Sequence, residues 1–459
     1  MYPYLKGVNV MSTRRNDVKR KLGKKNLLAL VMLMVLAISI FAGCAKPKLP
    51  EDTGSKTEQA EDTGKEEEVK EEEAALPTPE PTPDAPEGPV ELNQVIYDEN
   101  GTKITALSYE DRLSGSAGQG TDMDPVLDLS LRVEKIGDEP HTLYIEDFSV
   151  NGFGSDMYTS FLIWSDPERM DWLQNYSINV DGTYEFKLSA TRSFADSIGL
   201  ESAGNIGMLI GVKTDEQHLA YKNIRLDLGQ EAVPSADISV VKEGNAYNTV
   251  LVKADNPLDK PMAVKSLIRY TSTEGAVIYP SGFNYMTGEE FQSDAGTDTF
   301  FVKNGAKDML CSVNGIKSRP VFEDGSDVMW RDFGDAEVEF VSAIPSDLPD
   351  LSDTVSFESE GRSKDSSNFV IFRCTWPDEY QRLQIYGTGV CYNEDGTIYK
   401  IYPIESRLLK DKDYRDNYRS ANSETGWLDY FVIDCKKEGD GPDYTFKAYL
   451  SYVCEVQDD

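Results

Sequence analysis

The sequence predicts an all-β protein built from several β-sandwiches in tandem. From about residue 91 onward, short runs alternate between apolar and polar residues, which is the period of a strand with one buried face. Turn signals separate these runs, among them Asn100-Gly101, Glu274-Gly275 and Asp395-Gly396. About 370 residues follow position 90, which is too many for one hydrophobic core and suits three domains.

Residues 1–43 have the features of an export signal. Seven basic residues between Arg14 and Lys25 precede sixteen uncharged residues, Leu27 to Ala42. A membrane-spanning helix needs about 20 apolar residues, so this run is short for a permanent anchor and suits a cleaved signal peptide. The alternative is an uncleaved signal anchor. Either one keeps the rest of the chain outside the cytoplasm.

The segment Phe41-Ala42-Gly43-Cys44 resembles the lipobox of bacterial lipoproteins. The resemblance implies cleavage before Cys44 and attachment of a diacylglyceryl group to its thiol. Two acyl chains hold a protein stably on a membrane, whereas one chain does not. Cys44 is therefore the expected lipidation site, and the expected location is the extracellular face of the cell membrane.

Residues 44–90 are predicted to be a disordered acidic and proline-rich tether. Glutamates cluster at 66–68 and 71–73, and prolines recur from Pro77 to Pro89. Such a segment cannot bury a core, and its charges and prolines favour an extended chain. We expect the tether to hold the folded part clear of the lipid head groups.

Three β-sandwich domains are predicted after the tether, at residues 91–232, 235–346 and 350–459. The breaks fall at two proline-containing segments, 232–234 and 345–349. The alternation is clear in the first domain, where one face of a strand is apolar and Asp128 lies on the face predicted to meet water. The apolar residues of that strand are Leu127, Leu129, Leu131 and Val133.

A repeated order of strands and turns within the chain supports this division. The order of strands and turns from Thr249 to Pro280 recurs from Phe369 to Pro403, and Val126 to Gly152 follows the same plan. The plan resembles the immunoglobulin-like sandwiches of secreted Gram-positive lipoproteins, the FxLYD-type and telokin-like modules. The resemblance lies in the plan and not in a signature motif. It implies ligand-binding or wall-facing roles.

One short helix is predicted within the first domain. Ser165-Asp166-Pro167-Glu168 has the pattern of a helix start, with proline near the first helical position. Such a helix on a loop would carry Trp164 and Trp172 to the surface.

The sequence gives little support for catalysis, and no catalytic residue or cofactor is predicted. His141 and His218 are the only histidines, and both are expected in polar surface turns, which limits acid–base and zinc chemistry. Motifs for phosphate-binding loops, serine hydrolases and zinc proteases are missing from the sequence. An envelope hydrolase that uses two carboxylates stays as an alternative.

An acidic stretch in the last domain begins like a calcium-binding loop. It contains Asp411, Asp413, Asp416 and Glu424, but position 416 holds aspartate where such a loop needs glycine. We interpret the stretch as a solvated loop, and no metal site is predicted.

Five cysteines accompany Cys44, and four of them lie in the last domain. Alternation places Cys374, Cys391, Cys435 and Cys454 at inward positions. They are interpreted either as buried thiols or as one or two disulfides, which an extracellular location permits. Cys311 stands alone in the second domain.

Charge bounds the choice of partner. The formal charge is −34, and removal of residues 1–43, with eight basic residues and one acidic residue, takes it to −41. This field disfavours nucleic acid and favours cationic peptides, amines or divalent metal ions. The alternative is that the acids merely keep the protein soluble.

Exposed tryptophans would provide a surface that binds a specific class of ligand. Trp330, Trp376 and Trp427 fall near predicted loops, where they would stack on sugar rings, although sandwich cores use the same residue type. The sequence therefore predicts a lipid-anchored binding or scaffolding protein of the bacterial cell envelope. Its expected partners are the membrane, cell-wall glycan or peptidoglycan, or another surface protein.

Overall fold

The computed structural model describes residues 88–456, apart from 114–120, 139–140, 156–159, 167–168, 173–175, 214, 216, 285–288, 318, 363–368, 411–429 and 435–444. Residues 81–459 form one compact unit. The predicted signal peptide, Cys44 and almost all of the predicted tether lie outside the described residues, as do Trp427, Cys435 and the acidic stretch at 411–424. The described part is all-β, as the sequence predicts.

The first sandwich consists of two six-stranded sheets. Sheet I contains, in spatial order, β1 (Val90–Glu99), β2 (Thr102–Asp111), β3 (Pro125–Lys135), β8 (Thr183–Thr191), β5 (Phe161–Asp166) and β6 (Arg169–Trp172). Sheet II contains β15 (Ser281–Asn284), β16 (Glu289–Ser293), β10 (His218–Asp227), β9 (Asn205–Lys213), β4 (His141–Val150) and β7 (Tyr176–Val180).

The second and third sandwiches are smaller. In the second, sheet III contains β11 (Ser239–Ala246), β12 (Thr249–Asn256) and β18 (Ala306–Val313), and sheet IV contains β14 (Val277–Ile278), β13 (Met262–Ser272) and β17 (Gly296–Val302), with β19 (Phe333–Pro345) also paired to β13. In the third, sheet V contains β20 (Ser356–Arg362), β21 (Phe369–Thr375) and β24 (Tyr430–Asp434), and sheet VI contains β23 (Ile398–Leu409), β22 (Arg382–Tyr392) and β25 (Thr445–Glu455).

The alternating pattern explains how sheet I covers its core. Leu127, Leu129, Leu131 and Val133 of β3 are all buried in the main hydrophobic cluster. Their neighbours in sequence point to the other face of the sheet, because successive side chains of a strand alternate. The turn Asn100-Gly101 joins β1 to β2, and both residues have positive φ, as a two-residue hairpin requires.

The predicted short helix after Ser165 is wrong. Phe161–Asp166 and Arg169–Trp172 instead form the antiparallel strands β5 and β6, in which Leu162 lies opposite Trp172. Phe161 and Ile163 alternate into the core, and β5 pairs with β8, so strand pairing overrides the local helix signal. The only α-helix in the described part of the chain is α1 (Arg192–Ile198), where Gly199 adopts the left-handed conformation at the helix end.

Strand β9 is buried on both faces. Ile206, Met208 and Ile210 contribute to the main core, whereas Leu209 joins a separate apolar cluster with residues of β13 and β19. A run of apolar residues without polar alternation is typical of a strand covered on both sides. The outer face of sheet II therefore packs against sheet IV of the second sandwich.

The first two sandwiches share main-chain contacts and a core. Strand β16 pairs with β10, with His218 opposite Gln292, and the main hydrophobic cluster extends from Tyr97 to Ala343. The third sandwich has its own cluster, from Leu351 to Val453. The predicted domain boundaries at 232–235 and 346–350 fall between strands, and strand pairing crosses the first of them.

Candidate functional site

The outer face of sheet I holds a buried carboxylate. Asp128 lies on β3 between two leucines that face the core, and alternation places it on the face predicted to meet water. Only 6% of the residue is exposed. Because a covered charge loses its hydration and needs compensating partners, the surroundings of Asp128 identify a built polar site.

Two side chains engage the carboxylate oxygens of Asp128. Ser189 lies directly opposite in the register of β3 and β8, and its Oγ donates a hydrogen bond of 2.5 Å to Oδ1. Arg112, just beyond the end of β2, pairs with Oδ2 through Nη2. Lys187 Nζ lies 4.0 Å from the same oxygen. The carboxylate is thus fixed in position with positive charge beside it.

The indole of Trp164 is tied to this group. Its Nε1 donates a hydrogen bond of 2.8 Å to Ser189 Oγ, which in turn donates to Asp128. Ser189 is fully buried, so the bond is shielded from competing water. Trp164 itself is only half-buried, which leaves part of its ring available to a ligand.

Arg112, Asp128, Trp164 and Lys187 line a cleft of about 470 Å³, which we call the Trp164 cleft, and Ser189 lies beneath its surface. Apolar contributions come from residues such as Leu107, Pro125 and Phe186, and polar ones include Glu185, whose carboxylate accepts two hydrogen bonds of 2.8 and 2.9 Å from Arg132. A cleft of this size with an aromatic surface and a few fixed polar groups has the character of a small-ligand site.

The arrangement suits a ligand with one apolar face and hydroxyl groups around its edge. The exposed part of the indole offers a flat apolar surface, whereas Lys187 and Glu185 offer a donor and an acceptor at the rim. A sugar ring presents this combination of groups. Both oxygens of Asp128 are engaged by Arg112 and Ser189, so its role in this geometry is to position its neighbours.

The other tryptophans differ in their surroundings. Trp330 is 51% exposed and contacts Tyr247 edge-on, with ring centroids 5.3 Å apart. Trp376 is buried in the core of the third sandwich, and its Nε1 donates to the Tyr380 carbonyl. The side chains of Trp172 and Trp427 lie outside the described residues. Trp164 and Trp330 are thus the tryptophans with described side chains that remain open to a ligand.

The four cysteines within the described residues are buried. Cys374 and Cys391 belong to the core of the third sandwich. Cys454 shares a strand face with Tyr452, while Val453 between them points into that core. Burial raises the pKa of the Cys311 and Cys454 thiols, which lowers their reactivity as nucleophiles. Any bridge to Cys435 lies outside the described residues.

The histidines begin strands and do not lie in turns. His141 starts β4 and His218 starts β10, where its Nδ1 lies 2.8 Å from Asp215 Oδ2. Within the ranges that the structure describes, no group of three or more metal-ligating side chains comes together. No helix in those ranges is both long and apolar enough to cross a lipid bilayer.

Sequence reasoning missed the polar part of the Trp164 cleft. The available signal was Asp128 in the middle of an apolar strand, where a charge costs free energy unless it has a partner. Ser189 carries no such signal, because the pairing of β3 with β8 brings it to Asp128, and Arg112 reaches Asp128 only because β2 ends beside it in the assembled sheet.

Comparison with known proteins identifies no family for this chain. No protein-family model matches the chain, and no curated protein matches it significantly.

Proposed function

We propose that this protein is a lipid-anchored binding protein on the extracellular face of a bacterial cell membrane, and that its Trp164 cleft binds a sugar chain of the cell wall. The observation that carries the proposal is the hydrogen-bonded series from Trp164 through Ser189 to Asp128 and Arg112. An outer sheet face needs no such buried network for folding alone, because its polar side chains are normally hydrated.

The physical logic is that of a pre-organised site. The network holds the indole in place before a ligand arrives, so binding costs less ordering of the protein. The rim residues Lys187 and Glu185 then provide hydrogen bonds that select among hydroxylated ligands. In this proposal the cleft binds and positions a ligand and does not perform catalysis.

The binding test uses purified peptidoglycan and wall polysaccharide from a Gram-positive bacterium. The chain from residue 45 onward should be retained by one of these polymers, and Trp164→Ala should weaken retention about tenfold, which corresponds to about 1.4 kcal/mol. Trp164→Phe is the matched variant, because it keeps a ring for stacking but removes the N–H that bonds Ser189. It should bind with intermediate affinity.

Two results of this test would contradict the sugar-binding proposal. One is a wild-type chain that no wall polymer retains, and the other is Trp164→Ala that binds as well as the wild type. Trp376→Phe serves as a control for nonspecific effects, because that residue packs inside the third sandwich. In either contradictory case, the remaining alternative is a scaffold that binds another surface protein.

The anchor is tested separately. Labelled palmitate should enter the wild-type protein in a Gram-positive host and should not enter Cys44→Ala, since the thiol is the proposed acceptor. The variant should also lose its stable membrane association, because two acyl chains are needed to hold it. Equal labelling of both forms would rule out Cys44 as the lipidated residue.

A further inference from the structure

The second sandwich presents a second cleft that the proposed sugar site does not use. It has a volume of about 720 Å³ and lies between the turn that follows β13 and a hairpin at residues 321–327. Val277 and Tyr279 form part of its wall. We call this feature the β14 cleft, because Val277 and Ile278 form strand β14 beside it.

An exposed apolar patch adjoins the β14 cleft. Val277 is 42% exposed, Met329 49% and Trp330 51%, and Trp330 precedes by two residues the cleft residue Asp332. We call these three exposed residues together the Trp330 patch; the Trp330 ring also contacts Tyr247 edge-on, with centroids 5.3 Å apart. Exposed apolar side chains grouped around one cleft favour coverage by a partner, so such surfaces mark interaction sites.

The walls of the cleft are pre-formed. Ser272 Oγ accepts hydrogen bonds from the Glu274 and Ala276 amides and shapes one wall. The pairing of Tyr279 with Val321 fixes the other wall. The Met329 amide donates to Asp332 Oδ2 over 2.8 Å and holds the short helix η1 (Trp330–Asp332) that presents the indole. A partner would therefore meet a surface that is already ordered.

Charge defines what that partner must be. Among the described residues that line the β14 cleft, four are carboxylates and none is basic. The carboxylates are Glu274, Glu323, Asp324 and Asp332, and Arg331 lies nearby with its Nε 3.9 Å from Asp332. A surface that is apolar on one side and anionic on the other is complementary to a segment with apolar and cationic side chains.

We propose that the Trp330 patch and the β14 cleft together dock a basic amphipathic segment of a partner protein. Apolar side chains of that segment cover Trp330 and Val277, and its lysines or arginines enter the cleft between Glu274 and Glu323. The apolar patch supplies most of the affinity, whereas the carboxylates supply the choice of partner and a fast, salt-dependent association.

The test is a titration of the chain from residue 45 onward with a fluorescein-labelled peptide of lysines and leucines that has one apolar face. Trp330→Ala should weaken binding about tenfold, as expected for a central aromatic anchor. Trp330→Phe should retain most of the affinity. The double variant Glu274→Gln/Glu323→Gln should weaken binding about tenfold at low salt and flatten its salt dependence.

Matched controls separate docking from simple attraction to an acidic protein. Glu91→Gln/Glu358→Gln removes the same charge from exposed positions on other sandwiches and should leave binding unchanged. Peptides with glutamate in place of lysine, or serine in place of leucine, should not bind. The proposal is overturned if both double variants weaken binding equally, if Trp330→Ala has no effect, or if the patch instead drives self-association of the chain.

Discussion

The two junctions between sandwiches are built in different ways. At the first junction, the main chain itself crosses from one sandwich to the other, through the pairing of β10 with β16 and the hydrogen bond from Gly154 to the Ala343 carbonyl. At the second junction, the described contacts between sheets come from side chains, mainly aromatic rings and aliphatic groups. The first two sandwiches share one hydrophobic core. The third has its own core and is joined to the second through side-chain contacts.

The first junction combines apolar contacts with a nearly buried ionic group. Leu209, Leu267 and Val341 pack together between sheets II and IV. Beside them, Lys265 Nζ lies 3.1 Å from Asp147 Oδ2, which also accepts a hydrogen bond of 2.9 Å from Ser342. The ionic group links strands of both sandwiches, so removing one of its partners would leave the other charge unpaired in a covered position.

The second junction depends on a few rings. Phe301 of the second sandwich packs against Tyr386 and Tyr452 of the third, with centroid distances of 4.2 and 5.1 Å. The Tyr452 hydroxyl donates to the Leu348 carbonyl in the connecting segment over 3.1 Å. Contacts of this kind are removable by single substitutions, whereas main-chain pairing is not.

The difference between the two junctions predicts which sandwiches unfold together and which unfolds separately. Regions that share a core and strand pairing open together, and regions linked by few side chains open separately. We expect the first two sandwiches to unfold in one transition. The third sandwich should unfold in the same transition only while its aromatic contacts with the second sandwich are intact.

The largest expected effect comes from Lys265→Met at the first junction. The substitution keeps the aliphatic stem but leaves the Asp147 carboxylate, 11% exposed, without its cation. An unpaired buried charge costs 3–5 kcal/mol, and because a quarter of Lys265 is exposed, we expect a loss of about 3 kcal/mol in the free energy of unfolding. Urea denaturation should show one transition shifted as a whole for the first two sandwiches.

Lys260→Met is the control for this prediction. Lys260 pairs with Asp347, whose carboxylate is 94% exposed, so its loss should change stability by less than about 1 kcal/mol. Equal losses of unfolding free energy in the two variants would show that the pair of Lys265 with Asp147 stabilises the protein no more than an exposed surface pair does.

A smaller effect is expected from Phe301→Ala at the second junction. It removes two aromatic contacts of about 1 kcal/mol each, for a loss of about 2 kcal/mol in the coupling between sandwiches. Hydrogen exchange followed by mass spectrometry should show β22 and β25 opening before the first two sandwiches. Phe301→Leu keeps part of the apolar contact and should separate the transitions less. A single transition in Phe301→Ala would contradict the contrast between the junctions.

The sequence predicts the strands far better than their assembly. Alternation in Leu127 to Val133 identifies β3 and its buried face, because period two follows from strand geometry alone. The sequence predicts a helix where β5 and β6 pair, since Ser165 to Glu168 give a local helix-start signal that the pairing of β5 with β8 outweighs. The pairing of β10 with β16 has no local signature, because it joins residues about 74 positions apart through the fold.

The candidate sites divide in the same way. The sequence places Trp330 and Trp376 near loops, but only Trp330 is exposed, whereas Trp376 is buried. It brings Trp164 to the surface through a helix, where the structure has strand β5. It does not show that Ser189 and Arg112 would converge on Asp128, nor that Glu274 and Glu323 would line one cleft. Such convergence depends on which strands and turns become neighbours, and only the assembled sheets supply that information.

The smallest effect should be a pH dependence of the first junction, due to Glu146. Burial raises the pKa of this half-buried carboxyl above its ordinary value of 4.5, with the nearby Lys265 opposing the rise. The folded state therefore keeps a proton that the unfolded state has lost, so this contribution to stability is present below pH 4.5 and is lost as the pH rises through the folded-state pKa.

Glu146→Gln removes this titration while keeping a group able to bond the Tyr221 hydroxyl, which hydrogen-bonds to the carboxyl. The variant should be more stable than the wild type at pH 7, and the difference should vanish near pH 4, where the native residue is protonated. Asp294, also at this junction, has a pKa raised by burial. Because the wild type and Glu146→Gln both contain Asp294, the difference between their stabilities at each pH reports on Glu146 alone. Denaturation curves of both proteins at several pH values would measure it, with the exposed Glu358→Gln as control. A difference that grew as the pH fell would mean that the Glu146 carboxylate stabilises the junction in its charged form.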